Sequence, residues 1–94
     1  MTITIQIGNS DDKLSQRDWS DFVYAMRWHV IEANCPQSIH FSGGSSNDEK
    51  WQNYAFVFEA TQEQLEKLKE DATALRKTYK QDSVAFTIGE TKFI

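Results

Sequence analysis

The stretch from His40 to Phe58 reads HFSGGSSNDEKWQNYAFVF, and a Gly/Ser run in it separates two apolar runs. Glycine-rich phosphate loops lead into the N-terminus of a helix, because the free N–H groups of the first turn hold the anion. Here the glycines lead into a strand-like run, and the nearby Asp48 and Glu49 would repel a phosphate. The stretch therefore predicts a β-hairpin with a flexible glycine connection.

The run after this connection, WQNYAFVFE, has the residue types of a β-strand, but its alternation leaves open which side faces the core. Both sides are partly apolar, one with Tyr54, Phe56 and Phe58, the other with Trp51, Asn53, Ala55 and Val57. In the strand before the connection, QSIHFSG, we expect Ile39 and Phe41 to share one face.

The chain before the hairpin predicts one strand and one helix. In MTITIQIG the isoleucines alternate with polar residues, which is typical of a strand with one buried face. Ser15, with Asp18 three residues later, predicts a helix N-terminus, and Pro36 ends this helix near Asn34. Apolar residues at helical spacing form its predicted core stripe: Trp19, Phe22, Val23, Met26, Val30 and Ala33.

The chain after the hairpin predicts a second helix and a last strand. Thr61 and Gln64 have the spacing of a capping box, and apolar residues at 3-4 spacing continue to Tyr79. SVAFTI then has the alternation of a strand. The order βαββαβ predicts an α+β, ferredoxin-like fold as a single domain over residues 1–94, with two helices packed on one face of a four-stranded antiparallel sheet.

Composition restricts the partners and the compartment. The net charge of −4 argues against a protein that binds nucleic acid by neutralising phosphates, which requires a basic stripe. The single cysteine is typical of a reducing compartment, and no apolar run approaches the roughly 20 residues of a membrane span. The N-terminal residues lack the basic and apolar regions of a signal peptide. We therefore expect a cytoplasmic protein that does not enter a membrane.

The first helix has a second set of large side chains away from its predicted core stripe. At about 100° per residue, Tyr24, Trp28 and Ile31 lie together on this second side, with Arg27 beside them. Trp, Tyr and Arg dominate the energetics of protein interfaces, and an exposed Trp is costly unless something covers it. The pattern predicts a surface that binds a partner protein, either a different protein or a second copy in a homodimer.

The open face of the sheet is the alternative binding site. If the third-strand aromatics face the helices, this face carries a polar set with one Trp, suited to a small nucleotide-type ligand. The residues of this set are Thr4, Gln6, His40, Trp51, Asn53, Ser83 and Thr87.

If the aromatics instead face outward, a second alternative is single-stranded RNA. Tyr54-Ala55-Phe56-Val57 resembles the third-strand motif of RNA-recognition-motif domains, and IQIGN at Ile5 to Asn9 resembles their first-strand motif. That resemblance implies that Tyr54 and Phe56 stack on bases. Gln6 stands where the family has its first-strand aromatic.

Residues for catalysis or metal binding do not form a recognised pattern. Cys35 has no histidine at a spacing typical of a nucleophilic pair, and His29, Cys35 and His40 lack the spacing of zinc ligands. We therefore expect a non-enzymatic protein without a metal or a cofactor.

Three segments, TIQIGNSDDKLSQ, WQN and QDSVAFTIGET, resemble small α/β proteins of actinobacteria and their bacteriophages, a family without an established activity. The resemblance implies an accessory, regulatory or inhibitory protein of a phage or its host. Such proteins often bind a host protein or a defence factor, so the resemblance also favours a protein partner.

Overall fold

The computed structural model of the chain describes residues 1–9, 13–36, 39–45 and 52–94. Its strands are β1 (Thr2–Gly8), β2 (Ile39–Gly44), β3 (Asn53–Glu59) and β4 (Ala85–Gly89). Its helices are α1 (Gln16–Ala25), a π-helical segment (Met26–Ile31), α2 (Glu32–Asn34) and α3 (Gln62–Thr78). The first three of these run consecutively and are called the first helix below.

The four strands form one antiparallel sheet in the order β2-β3-β1-β4. β1, which has the strict isoleucine alternation, therefore occupies a central position. Each helical connection joins two strands that are separated by a third: β3 lies between β1 and β2, and β1 lies between β3 and β4. The α+β class with a four-stranded antiparallel sheet and two helical stretches is confirmed.

The helices cover one face of this sheet. Ile3, Ile5 and Ile7 of β1 are buried in a single apolar cluster that includes side chains from both helical stretches. The helical members of this cluster are Trp19, Phe22, Met26, Val30, Ile31, Leu65, Leu68 and Ala72. The core thus lies between the isoleucine face of the sheet and the helices. No described helix covers the other face, which we call the open face.

The register of β3 against β1 shows which way the third-strand aromatics face. Phe56 lies opposite Ile5, and Tyr54 lies opposite Ile7. Directly opposite residues share a face of the sheet, so both aromatics lie on the covered face, where Phe56 is fully buried. The sequence leaves both orientations open, and the structure contradicts the alternative in which Tyr54 and Phe56 form an outward-facing platform, because in β3 they share the face of the β1 isoleucines.

β2 is irregular between Ile39 and Phe41. Ile39 lies opposite Phe58 on the covered face, whereas Phe41 lies opposite Val57 and is 56% exposed on the open face. The prediction that Ile39 and Phe41 share a face is wrong, because an extra residue in one strand inverts the alternation that follows.

The first helix changes its pitch at the π-helical segment. A π-turn closes i→i+5 hydrogen bonds and holds one more residue than an α-turn, so it rotates every position that follows. Val30 and Ile31 are both buried, Cys35 takes the next core position, and Ala33 is exposed. The prediction of Ile31 as a surface residue and of Ala33 as a core residue is wrong, because it assumed α-helical pitch throughout.

Buried amides join the start of the first helix to the sheet. Asn9 is 1% exposed. Its Nδ2 donates to the Leu14 carbonyl at 3.0 Å and to Gln52 Oε1 at 3.1 Å, and its Oδ1 accepts from the Leu14 N–H. Gln52 and Gln16 exchange a pair of amide hydrogen bonds. A buried polar group is costly unless it is paired, so this network specifies where the helix begins relative to β1 and β3.

The predicted helix N-termini are confirmed. The Ser15 hydroxyl accepts a hydrogen bond from the Asp18 N–H at 3.1 Å. Thr61 and Gln64 form a reciprocal capping box, in which each side chain accepts from the backbone N–H of the other. Each cap satisfies N–H groups that the first turn of a helix leaves unpaired.

Candidate functional site

Two large aromatic side chains lie exposed on the first helix. Tyr24 is 59% exposed and Trp28 is 46% exposed, and their ring centroids are 6.4 Å apart. They are four residues apart, a spacing that places side chains on the same face of a helix. The ring of His29 packs edge-on against Tyr24 at 5.9 Å. The structure therefore places Tyr24 and Trp28 together at the surface.

Arg27 lies beside Trp28 and contacts its ring. Its guanidinium carbon lies 4.9 Å from the centroid of the Trp28 ring, within the range of a cation–π contact. Its Nη1 donates to Ser42 Oγ at 2.7 Å, and its Nη2 lies 4.0 Å from the Glu32 carboxylate. Nε is buried without a hydrogen-bond partner in the described part of the chain. Arg27 thus ties the helix to β2 and supports the Trp28 ring from one side.

A hollow of about 260 Å³ opens beside the two aromatic rings. Its lining combines aromatic and aliphatic side chains with two serines: Trp19, Ser20, Val23, Tyr24, Trp28, Ser45 and Tyr54. We call Tyr24, Arg27 and Trp28 with this hollow the aromatic patch. Such a surface offers a depression with both apolar and polar walls, a mixture that is typical of protein-binding sites.

The structure corrects the membership of the predicted partner-binding set. Tyr24, Arg27 and Trp28 come together as the sequence predicts, but Ile31 is fully buried in the core and takes no part. Tyr54 lines the patch instead. That Tyr54 lies near Trp28 follows from the pairing of β3 with β1, which puts Tyr54 on the face covered by the helices. Both faces of β3 carry apolar side chains, so its sequence does not indicate which of them faces the helices.

The residues of the alternative sheet-face set do not form one site. Gln6, His40 and Asn53 are exposed, whereas Tyr54 and Phe56 lie on the covered face. Trp51 lies outside the described residues. Gln6, His40 and Asn53 of the polar set therefore lie on the open face, but the aromatic platform for bases does not.

His40 belongs to a small polar cluster on the open face. Its Nε2 lies 3.1 Å from Glu59 Oε1, which also accepts from Thr2 Oγ1 at 2.9 Å. These hydrogen bonds, together with the charge of the terminal amine of Met1, lower the pKa of the Glu59 carboxyl. Glu59 is thus an anchored acceptor, and the cluster connects β1, β2 and β3.

The titratable groups of residues 1–9, 13–36, 39–45 and 52–94 do not assemble into a recognisable catalytic or metal-binding centre. Burial raises the pKa of the Cys35 thiol, which favours the neutral thiol over the nucleophilic thiolate. Within the described ranges, no three His, Cys, Asp or Glu side chains lie close enough to hold a metal ion. The arrangement of the described residues is suited to binding.

No protein-family model, curated protein or solved structure matches this chain. Among the helices formed by the described residues, none has both the length and the apolar character to cross a membrane.

Proposed function

We propose that this chain is a non-enzymatic binding protein that docks on a partner protein through the aromatic patch and thereby modulates it. The observation that supports the proposal is the joint exposure of Tyr24 and Trp28 beside a hollow that is partly lined by apolar side chains. Covering one large apolar side chain is worth about 1.5–3 kcal/mol, so two adjacent rings provide a strong driving force for association.

The residues that line the hollow indicate what kind of partner segment the patch binds. The hollow lies between Trp19 and Val23 of the helix and Tyr54 of β3, so it accepts an apolar side chain. Ser20 and Ser45 at the same hollow offer hydroxyl groups to the backbone of the segment that carries this side chain. Arg27 already supports Trp28, so the ring is held in place before binding, which lowers the entropic cost.

We further propose that the fold is ferredoxin-like. The strand order and the antiparallel pairing of all neighbours support this assignment, as does the crossing of each helical connection over an intervening strand. The proposed role of an accessory protein of a phage or its bacterial host rests on the resemblance of the sequence to such proteins. The proposed cytoplasmic location rests on the single cysteine and on the character of the N-terminal residues.

Site-specific cross-linking from the patch tests the proposed function. Tyr24 is replaced by the photoreactive benzoylphenylalanine, and the protein is irradiated in a lysate of its native host. We expect a cross-link to one defined protein, and an excess of unlabelled wild-type chain should suppress it. An excess of the Trp28→Ala variant should not suppress it, because that variant lacks one of the two rings.

The open face of the sheet supplies the matched control. Phe41 has an exposed fraction similar to those of Tyr24 and Trp28 but lies on the opposite side of the sheet from the helices. Benzoylphenylalanine at position 41 should not cross-link to the same protein. If position 41 cross-links and position 24 does not, the sheet face is the binding surface and the proposal is wrong.

A further inference from the structure

A second surface lies at the edge of the sheet formed by β4. This strand pairs with β1 on one side, and no described segment pairs with its other side. Along Ala85–Gly89, every second residue therefore directs its backbone N–H and C=O groups away from the sheet. A free strand edge of this kind can accept an additional strand.

A hollow of about 280 Å³ lies beside this edge, between β4 and α3. Ala72, Val84 and Phe86 give it apolar walls, and Lys69 and Arg76 place two positive charges at it. Neither cation makes an ion pair with another described residue. Arg76 Nη1 donates to the Gln81 carbonyl at 2.9 Å, a neutral partner that leaves its charge uncompensated. In a chain with a net charge of −4, two cations at one hollow that form no ion pair with a described residue favour acidic groups there.

The C-terminal residues of the chain turn away from this edge. After β4, the hydroxyl group of Thr91 contacts that of Thr2. Phe93 lines a separate hollow with His40 and Glu59 on the open face. The chain's own C-terminal segment therefore leaves the β4 edge and the hollow beside α3 uncovered.

We propose that the groove between β4 and α3 binds an extended acidic segment of a partner protein, which adds to the sheet as a fifth strand next to β4. Alternate side chains of an added strand face the same side. One apolar side chain of the segment enters the hollow at Val84 and Phe86, and Asp or Glu two residues before and after it pairs with Lys69 and Arg76. This site is separate from the aromatic patch.

A second copy of the chain fits the groove less well than an acidic segment does. The β4 strand of a second copy has the sequence AFTIG, which carries no carboxylate within the five paired residues, whereas the acidic segment carries one two residues from its apolar side chain on each side. A nucleic acid could supply negative charge but could not add backbone hydrogen bonds to a strand edge.

A synthetic peptide tests the proposal. The probe is the blocked peptide Thr-Glu-Thr-Ile-Thr-Asp-Thr, in which Glu, Ile and Asp face one side of a strand. It is titrated into the ¹⁵N-labelled full chain, and binding is followed by the amide chemical shifts. We expect a dissociation constant on the order of 100 μM, with shift changes confined to β4 and the adjoining side of α3. A peptide with Lys in place of both acids should bind at least about tenfold more weakly.

Two further comparisons separate strand addition from simple charge attraction. Two peptides, one N-methylated on the odd-numbered residues and one on the even-numbered residues, should differ in affinity. Only one of these two sets of N–H groups faces β4 and can donate to it. Lys69→Glu should weaken binding of the acidic peptide at least about tenfold, whereas Lys77→Glu, with the same charge change on the outer side of α3, should have little effect.

Three outcomes would overturn the proposal. These are equal binding of the acidic and basic peptides, equal binding of the two N-methylated peptides, and no shift changes at β4 at millimolar peptide. Shift changes at β4 that depend on protein concentration without peptide would assign the edge to a second copy instead. A failure of the peptide to bind would not count against the aromatic patch, because the two hollows share no lining residue.

Discussion

The rings of Tyr24 and Trp28 lie 6.4 Å apart on the outside of the first helix, one turn from each other. Trp28 belongs to the π-helical segment, and the two residues that end this segment, Val30 and Ile31, are both buried. The same change of pitch thus gives the core an additional side chain and leaves the two rings at the surface. π-Helical segments occur often at functional sites, which agrees with a binding role for this part of the helix.

The two tryptophans of the first helix should differ in their contribution to stability. Trp19 is 5% exposed in the core, whereas Trp28 is 46% exposed. We expect Trp28→Ala to lower the free energy of unfolding by less than about 1 kcal/mol and Trp19→Ala to lower it by about 3 kcal/mol or more. Chemical denaturation measures both values. A loss from Trp28→Ala as large as that from Trp19→Ala would identify Trp28 as a core residue and remove the argument for the patch.

The end of β2 should require glycine at position 44 and tolerate alanine at position 43. A Cβ added at Gly44 would overlap the backbone oxygen of Asn53, whereas one added at Gly43 would meet only the tip of the Phe41 ring at 2.9 Å. Backbone cannot yield as a side chain can, so Gly44→Ala should cost at least about 2 kcal/mol and Gly43→Ala less than about 1 kcal/mol.

Gly89→Ala provides the control for this pair in thermal denaturation, because a Cβ there meets nothing within 4 Å. It should change stability little. Equal losses for all three glycine variants would mean that the close approach of β2 and β3 at Gly44 does not exist in solution.

The C-terminus of α3 should become more stable when Lys80 is replaced by glycine. Lys80 has a φ of 57°, in the left-handed region that favours glycine. The Gln81 N–H donates to the Arg76 carbonyl and the Lys80 N–H to the Lys77 carbonyl, which is the pattern of a Schellman motif. Lys80→Gly should therefore raise the free energy of unfolding by about 1 kcal/mol.

Lys80→Ala separates this backbone effect from the loss of the charge. Alanine keeps the Cβ that opposes a positive φ, so this variant should show no comparable gain in the same denaturation experiment. If both variants gain equally, the charge of Lys80 and not its backbone conformation limits stability.

Because the pKa values of Glu59 and Asp71 are lowered in the folded protein, the free energy of unfolding should decrease at acidic pH. Hydrogen bonds from Thr2 and His40 lower the pKa of Glu59, and a hydrogen bond from Asn34 Nδ2 lowers that of Asp71. A lowered pKa in the folded state adds stability above the unfolded pKa, and this stability is lost as the pH falls through the folded pKa. We expect the free energy of unfolding to decrease from about pH 5 to about pH 3.

Two variants test whether Asp71 contributes to this pH dependence of stability. Asn34→Ala leaves the Asp71 carboxylate in place but removes its donor, so the slope of stability against pH should become shallower, as it should in Asp71→Asn. The slope measures the difference in bound protons between the unfolded and folded states and is independent of a uniform loss of stability. An unchanged slope in both variants would contradict the assignment of Asp71.

Features of the fold that depend on a few neighbouring residues could be predicted from the sequence, and features that depend on distant residues could not. The alternation of isoleucines in β1 and the capping pair at Thr61 and Gln64 act within a few residues, and both are confirmed. Which side of β3 faces the core depends on its partner strand, because Tyr54 and Val57 are both apolar enough for a core. The sequence of β3 alone could not resolve this.

Two backbone irregularities, one in the first helix and one in β2, could not be predicted from the sequence. The π-helical segment at Met26–Ile31 and the irregularity of β2 at Phe41 each change the phase of the side chains that follow. They form where packing of the complete core favours one extra residue, and no local residue pattern specifies them. The π-helical segment explains why Ile31 lies in the core and not beside Tyr24 and Trp28. The irregularity of β2 explains why Phe41 does not share a face with Ile39.

The most direct test of the central claim is the affinity of the cross-linked partner, once purified, for three forms of the chain, measured by isothermal titration calorimetry. We predict that Trp28→Ala binds at least about tenfold more weakly than wild type, which corresponds to about 1.4 kcal/mol or more. Phe41→Ala, which removes an exposed ring from the open face, should bind with unchanged affinity. Wild-type affinity in Trp28→Ala, or a loss confined to Phe41→Ala, would contradict the assignment of the aromatic patch as the binding surface.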